Sequence, residues 1–129
     1  MKEVFRRMEA LVDEGSIHYI EKNRSAVAVA AAKIAQKPVV LAAFDPTKKG
    51  GALGYFEGAS LVRAVKLAGE GRAPLVLLCQ SAGADMVSGQ LSLSGAGSVF
   101  RALKALDTPR VYLSYGPCIG AAAYLAGLC

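Results

Sequence analysis

A chain of 129 residues, 53% hydrophobic with a mean hydropathy of +0.37, four Phe, five Tyr and no Trp, is one domain or part of one, with a core of Ala, Val and Leu. Its formal charge of +5 is spread along the chain with doublets only at Arg6-Arg7 and Lys48-Lys49, which argues against a nucleic-acid module and suits an anionic small ligand or a basic surface with no partner equally. Cys79, Cys118 and Cys129 are odd in number and lack metal-ligand spacing, so neither a disulfide framework nor a metal site is expected, and a reducing cytoplasm is.

Residues 2–12 place Val4, Phe5, Met8, Leu11 and Val12 at helical spacing, and the segment DEGS stops that helix. This amphipathic start does not read as a signal sequence. The longest apolar stretch, residues 26–32, is far below the roughly 20 residues of a membrane helix, so no membrane partner is expected. A short strand is expected over 17–20. The runs AVAVAAAKIA and VVLAAF, separated by QKP, read as a hairpin, although the alanines leave the first run open between strand and helix. After the loop DPTKKGGALG comes a helix over about 55–68, with Gly58, Leu61, Val62, Val65 and Ala68 on one face and Arg63, Lys66 and Glu70 on the other. A strand over 75–80, a helix over about 95–106 with Val99, Leu103 and Leu106 inward, a strand over 110–114 and a last helical segment complete a β-β-α-β-α-β-α order. In such α/β sheets ligands sit at the carboxyl ends of the strands.

Three glycine-rich loops occupy those ends: KKGGALG, QSAGAD and YGPCIGAAA. None has the G-x-G-x-x-G spacing of a dinucleotide fold or the G-x-x-x-x-G-K-[ST] of a phosphate loop. Cys118 begins a helix, where the dipole favours a thiolate nucleophile. The only histidine, His18, lies 100 residues upstream on an edge-like strand, which makes a Cys-His pair the weaker reading. Ser81 lacks the G-x-S-x-G elbow. Backbone chemistry remains: a Gly or Ala amide at a strand-to-helix turn can point its N–H at a carbonyl oxygen becoming an enolate, and small side chains let a thioester approach. Set against this, each loop alone is most often turn geometry, Lys48 and Lys49 a solvated face, and Tyr55 and Tyr124 packing residues.

Four segments in order, RRMEALVDEGSIHYI, FDPTKKGGALGYFEGASLVRAVKLA, LLCQSAGADM and RVYLSYGPCIGAAAYLAGLC, resemble the biotin-dependent acyl-CoA carboxyltransferase family of the crotonase superfamily. The resemblance implies a crotonase-like β-β-α spiral, with residues 1–129 a single, incomplete domain. It implies oxyanion N–H groups at Gly83 and Ala84, a second donor at Gly120 and Ala121, and substrate contacts at Gly50, Gly51, Lys48 and Lys49, the lysines at coenzyme A phosphates. Biotin, as carboxybiotin carried by a partner, and coenzyme A, as part of an acyl-CoA substrate, are the implied cofactors. A partner carboxyltransferase domain or subunit in an oligomer would complete the site. In the implied reaction, backbone amides hold a thioester enolate that accepts the carboxyl group.

The chain departs from the family pattern at four places. Ala82 replaces the first glycine of a Gly-Gly pair, Asp85 stands where an arginine is usual, Gln80 where many members have an acid or a small polar residue, and Ala121-Ala122 replace small-glycine positions. Two other readings therefore stand beside the first. One is a subunit of a malonyl or methylmalonyl thioester decarboxylase using the same enolate hole. The other is a non-catalytic scaffold subunit, which Ala82 and Asp85 slightly favour.

Overall fold

The computed structural model describes residues 1–86 and 89–129. Its elements are α1 (Glu3–Leu11), β1 (His18–Glu21), β2 (Val27–Ile34), β3 (Lys37–Phe44), a 3-10 turn (Lys49–Gly51), α2 (Tyr55–Gly71), β4 (Leu75–Ser81), α3 (Gln90–Ala105), β5 (Arg110–Cys118) and α4 (Ala121–Ala126). One five-stranded sheet runs in the order β1-β2-β3-β4-β5. The first two pairings are antiparallel, and β3-β4 and β4-β5 are parallel.

The alanine-rich run is a strand. β2 pairs with β3 from Val27 opposite Phe44 to Ile34 opposite Lys37, and the partner strand overrides the helix preference of alanine. Its side chains alternate between two buried layers. Val27 and Val29 join Val40, Ala42, Phe44, Leu75 and Leu77 beneath α2 and α3. Ala28, Ala30 and Ala32 join Leu41, Val76 and Leu78 beneath α1, which inserts Val4, Phe5 and Met8.

The hairpin turn falls at Ala35 and Gln36, one position earlier than QKP suggests, and Pro38 lies inside β3 opposite Lys33. Both turn residues are left-handed, with φ of 52° and 68°, as a two-residue turn of this hand demands. Neither is the usual Asn or Gly. The Asp13 carboxylate offsets the cost by accepting the Ala35 N–H at 3.0 Å and the Gln36 N–H at 2.7 Å, while the Asp13 N–H donates to the Lys33 carbonyl at 2.8 Å. The DEGS segment thus ends α1 and also clasps the hairpin. Asp13→Ala should lower stability by about 1–2 kcal/mol, and Gln36→Gly in that background should recover part of the loss, both readable as urea midpoints at constant slope.

α2 buries Gly58, Ser60, Leu61, Ala64, Val65 and Ala68, and Val62 is only partly covered. α3 begins at Gln90 rather than near Gly95. Its Gly and Ser residues read as loop because they are poor helix formers, yet here they are packing residues. Ser92 Oγ donates to the Asp85 carbonyl at 2.6 Å, and a Cβ on Gly58 would lie 2.7 Å from the Gly95 Cα, so α2 and α3 touch backbone to backbone. Among the described residues no helix is long and apolar enough to cross a membrane.

Candidate functional site

The three glycine segments lie side by side at the carboxyl ends of β3, β4 and β5. KKGGALG follows β3, and QSAGAD starts in the last two residues of β4. Strand β5 runs on through Cys118 rather than stopping at 114, so Cys118 ends a strand and does not begin a helix. Ala82 N–H donates to the Gly50 carbonyl at 3.0 Å, Ser81 Oγ to the Gly51 carbonyl at 2.7 Å and Leu53 N–H to the Gly83 carbonyl at 2.7 Å. The Asp85 N–H returns to the Leu53 carbonyl at 2.9 Å, which makes Leu53 and Ala84 a parallel bridge pair. Gly51 has φ +74°, and any Cβ there would overlap the Gln80 carbonyl oxygen. On the other flank, Ile119 N–H donates to the Ser81 carbonyl at 3.2 Å, and a Cβ on Gly83, at φ +93°, would sit 2.7 Å from the Ile119 carbonyl oxygen. Ala84 and Gly120 are therefore on neighbouring turns. Val87 and Ser88, further along the QSAGAD loop, lie outside the described residues.

The backbone donors in these turns differ. Gly83 N–H is taken by Ser81 Oγ at 3.1 Å, so it shapes the turn. The bridge to Leu53 uses the groups flanking Ala84, which leaves the Ala84 N–H turned the other way with no partner among the described residues. Gly120 N–H and Ala121 N–H, at the start of α4, also have none among the described residues.

Lys48 and Lys49 border an open cleft of about 400 Å³ whose lining includes Arg24, Tyr55, Phe56 and Asp85. Lys48 Nζ donates to the Ser25 carbonyl at 3.2 Å, and Lys49 Nζ lies 3.8 Å from Asp85 Oδ2. Tyr55, expected to pack, is 48% exposed and meets Phe56 edge to face at 5.6 Å. Tyr124 is half exposed too, with one edge on Phe100. Arg24 and Phe56 had no sequence signal, because the hairpin alone brings residue 24 beside residue 48. Glu57 ties the cleft walls: Oε1 accepts the Gly54 N–H at 3.0 Å and Oε2 the Ala26 N–H at 2.9 Å. Beneath it, burial pushes the Asp45 carboxyl up, but hydrogen bonds from Thr47 and Lys2 outweigh this and hold it below its usual range.

The thiol alternative loses its base. His18 is exposed on β1, at the opposite edge of the sheet from Cys118 on β5. Burial raises the Cys118 thiol, yet hydrogen bonding with Tyr112, Cys79, Ser114 and the Ser81 backbone brings it below the ordinary value. Burial pushes the adjacent Cys79 up to about 12.

The family model for the carboxyl transferase domain matches residues 2–129. A biotin-dependent acetyl-/propionyl-coenzyme A carboxylase beta6 subunit of Mycobacterium tuberculosis is 31% identical over 121 residues, covering 92% of this chain and 26% of the relative. A putative propionyl-CoA carboxylase beta chain of Bacillus subtilis is 35% identical over 94 residues, covering 71% of this chain and 18% of the relative. Among solved structures, the transcarboxylase 12S hexamer core with methylmalonyl-coenzyme A bound aligns with a TM-score of 0.93 at 26% identity, over 97% of this chain and 28% of that one. The Pseudomonas malonate decarboxylase MdcD-MdcE heterodimer aligns at 0.86 and 29% identity, over 98% of this chain and 58% of that one. The chain thus spans 18% and 26% of the length of these two curated relatives. The likeness shows a crotonase-like α/β fold, and with the match over residues 2–129 the chain belongs to the carboxyl transferase domain family.

Proposed function

We propose that the chain supplies the acyl-CoA side of a carboxyltransferase site, in which the Ala84 N–H, faced by the N–H groups of Gly120 and Ala121, receives the thioester oxygen as the acyl group becomes an enolate. The observation that carries this reading is the Ala84 N–H itself, turned away from its bridge to Leu53 beside the Gly120 turn. A preorganised amide stabilises charge that develops only in the transition state. Ala82, Gly83 and Ala84 leave the approach unobstructed by long side chains. Gly83 holds the turn through Ser81 and is not a donor in this scheme. Gly50 and Gly51 build the turn's other wall, and Lys48, Lys49 and Arg24 give the adjoining cleft the charge that suits coenzyme A phosphates. Carboxybiotin, brought by a partner in a cytoplasmic assembly, supplies the carboxyl group. The residues of this chain bind and orient the thioester and stabilise its oxygen.

The test is acyl-CoA-dependent turnover by the assembled enzyme, with and without biotin. Turnover that needs neither biotin nor bicarbonate selects the decarboxylase reading, which the malonate decarboxylase likeness supports. An assembled complex whose melting is unmoved by acyl-CoA selects the scaffold reading.

Lys48→Ala with Lys49→Ala should weaken acyl-CoA binding about tenfold at low salt, and the loss should shrink as salt rises, because exposed charges are screened over about 8 Å at physiological ionic strength. Lys48 should carry more of it, since Asp85 already faces Lys49. An unchanged Kd at low salt would return both lysines to the solvated face.

The partner's docking side is β5. That strand runs nine residues at the edge of the sheet with Val111 44% and nearby Ile119 58% exposed, whereas β1 at the other edge has four residues and an irregular register. Long apolar edges are association sites. Alone at micromolar concentration the chain should associate and bind a dye for apolar surface. A monomer by light scattering without dye binding would remove the argument for a covering partner.

A further inference from the structure

We propose that Arg7 is a positioning residue for the two donor turns, acting through Gln80. The inference rests on the reading that Ala84 and Gly120 serve one oxygen. Gln80 is the penultimate residue of β4, just before Ser81 ends the strand and the first turn begins. Alternation along β4 sends Val76 and Leu78 to the α1 side of the sheet, and the Gln80 side chain follows them. There Arg7 of α1 donates from Nη1 to Gln80 Oε1 at 2.8 Å, and its guanidinium lies 4.8 Å from the centre of the Tyr115 ring.

The strand pairing breaks at this contact. Cys79 faces Ser114, but Ser81 faces Cys118, so Gln80 alone on β4 stands opposite Tyr115, Gly116 and Pro117 on β5. Such a bulge re-aims whatever follows it. The Gln80 carboxamide fills it: a Cβ on Gly116 would lie 2.9 Å from Gln80 Cδ. Beyond the bulge come Cys118, Ile119 and Gly120, and the next tie between the strands is the bond from Ile119 N–H to the Ser81 carbonyl. The carboxamide therefore sets how far the Gly120 turn advances relative to the Ala84 turn, and Arg7, itself stacked on the Tyr115 ring, holds the carboxamide from one side while Gly116 borders it on the other. A misplacement near 1 Å in a reacting geometry can cost about a hundredfold in rate, so a contact that controls the spacing of two donors acts on turnover without touching substrate.

The first test uses the full 129-residue chain and no activity. Iodoacetamide labelling, read peptide by peptide, follows Cys118 just after the bulge, and fully buried Cys79 reports general unfolding. In Arg7→Ala and in Gln80→Ala, Cys118 should react roughly threefold faster or more with Cys79 still protected, a local opening. If Cys118 keeps its rate, or Cys79 opens in step with it, Arg7 serves only general stability and the proposal is overturned. The second test uses the assembled enzyme. Arg7→Ala should lower kcat about tenfold or more with KM for the thioester unchanged. Arg7→Lys, which keeps a donor, should recover part of this, and the double Arg7→Ala/Gln80→Ala variant should be no worse than either single change, as expected for one shared contact. A raised KM at unchanged kcat, or additive losses, would overturn it. If the unsubstituted assembly turns over no acyl-CoA, the functional reading fails while the labelling result still decides the role of Arg7.

Discussion

Ala84→Pro will slow acyl-CoA-dependent turnover of the assembled enzyme by about 10²–10³, or about 2.7–4 kcal/mol of transition-state stabilisation, the usual cost of one lost oxyanion donor. Proline deletes the N–H and adds little bulk. The bridge to Leu53 does not depend on that N–H, because it runs through the Gly83 carbonyl and the Asp85 N–H. Proline also restricts the residue before it, here Gly83 at φ +93°, so the variant's melting curve must accompany its rate. Ala84→Gly keeps the donor and should keep most of the turnover. Cys118→Ala should leave the chemistry nearly intact. The opposite result, a dead Cys118→Ala enzyme beside an active Ala84→Pro one, would replace the amide with the thiol as the reactive group.

The largest effect on stability is expected at Gly51. Gly51→Ala should cost about 3 kcal/mol and lower the melting temperature by about 10 °C. Two terms add. The left-handed backbone at φ +74° penalises any Cβ, and this Cβ would overlap the carbonyl oxygen of Gln80. No rotamer relieves that contact, because the oxygen belongs to the backbone of β4, a strand paired on both sides. Gly50 is the control: it is also left-handed, at φ +66°, but its Cβ would meet only the Ala82 side chain at 3.4 Å. Gly50→Ala should cost about 1 kcal/mol, from the backbone term alone. Equal losses in the two variants would show that close approach contributes nothing.

These two positions also mark what sequence reading can and cannot reach. The strands, the helices' apolar faces and the loop order follow from periodicity, and Val99, Leu103 and Leu106 are buried as spacing predicts. The run AVAVAAAKIA, residues 26–35, reads as either strand or helix because alanine carries little shape, and only the β3 partner decides the matter. The first turns of α3 leave no helical signal because Ser92 and Gly95 look like breakers until Asp85 and α2 are in place beside them. At the site, the glycine loops could be found by their spacing after strands. The division of labour within QSAGAD could not, since whether an N–H is taken by Ser81 or left turned outward depends on which face of the turn Leu53 occupies. Arg24, Phe56 and the Arg7–Gln80 contact depend on pairings between distant segments and leave no local trace.

The single carboxylate of Glu57 has a thermodynamic consequence for the cleft. By accepting the Gly54 N–H at the start of α2 and the Ala26 N–H at the start of β2, it joins the two walls through one rigid group. The walls cannot part without breaking the bond to Ala26, while the bond to Gly54 holds the carboxylate in place on α2, so the opening near Lys48 and Phe56 has a set width before any ligand arrives. Binding there orders little protein, and affinity is spared the conformational entropy that a closing lid would cost. Discrimination between ligands must then come from steric exclusion at the rim, and the amide hydrogen of Ala26 should exchange with solvent as slowly as those of the buried strands, with or without ligand.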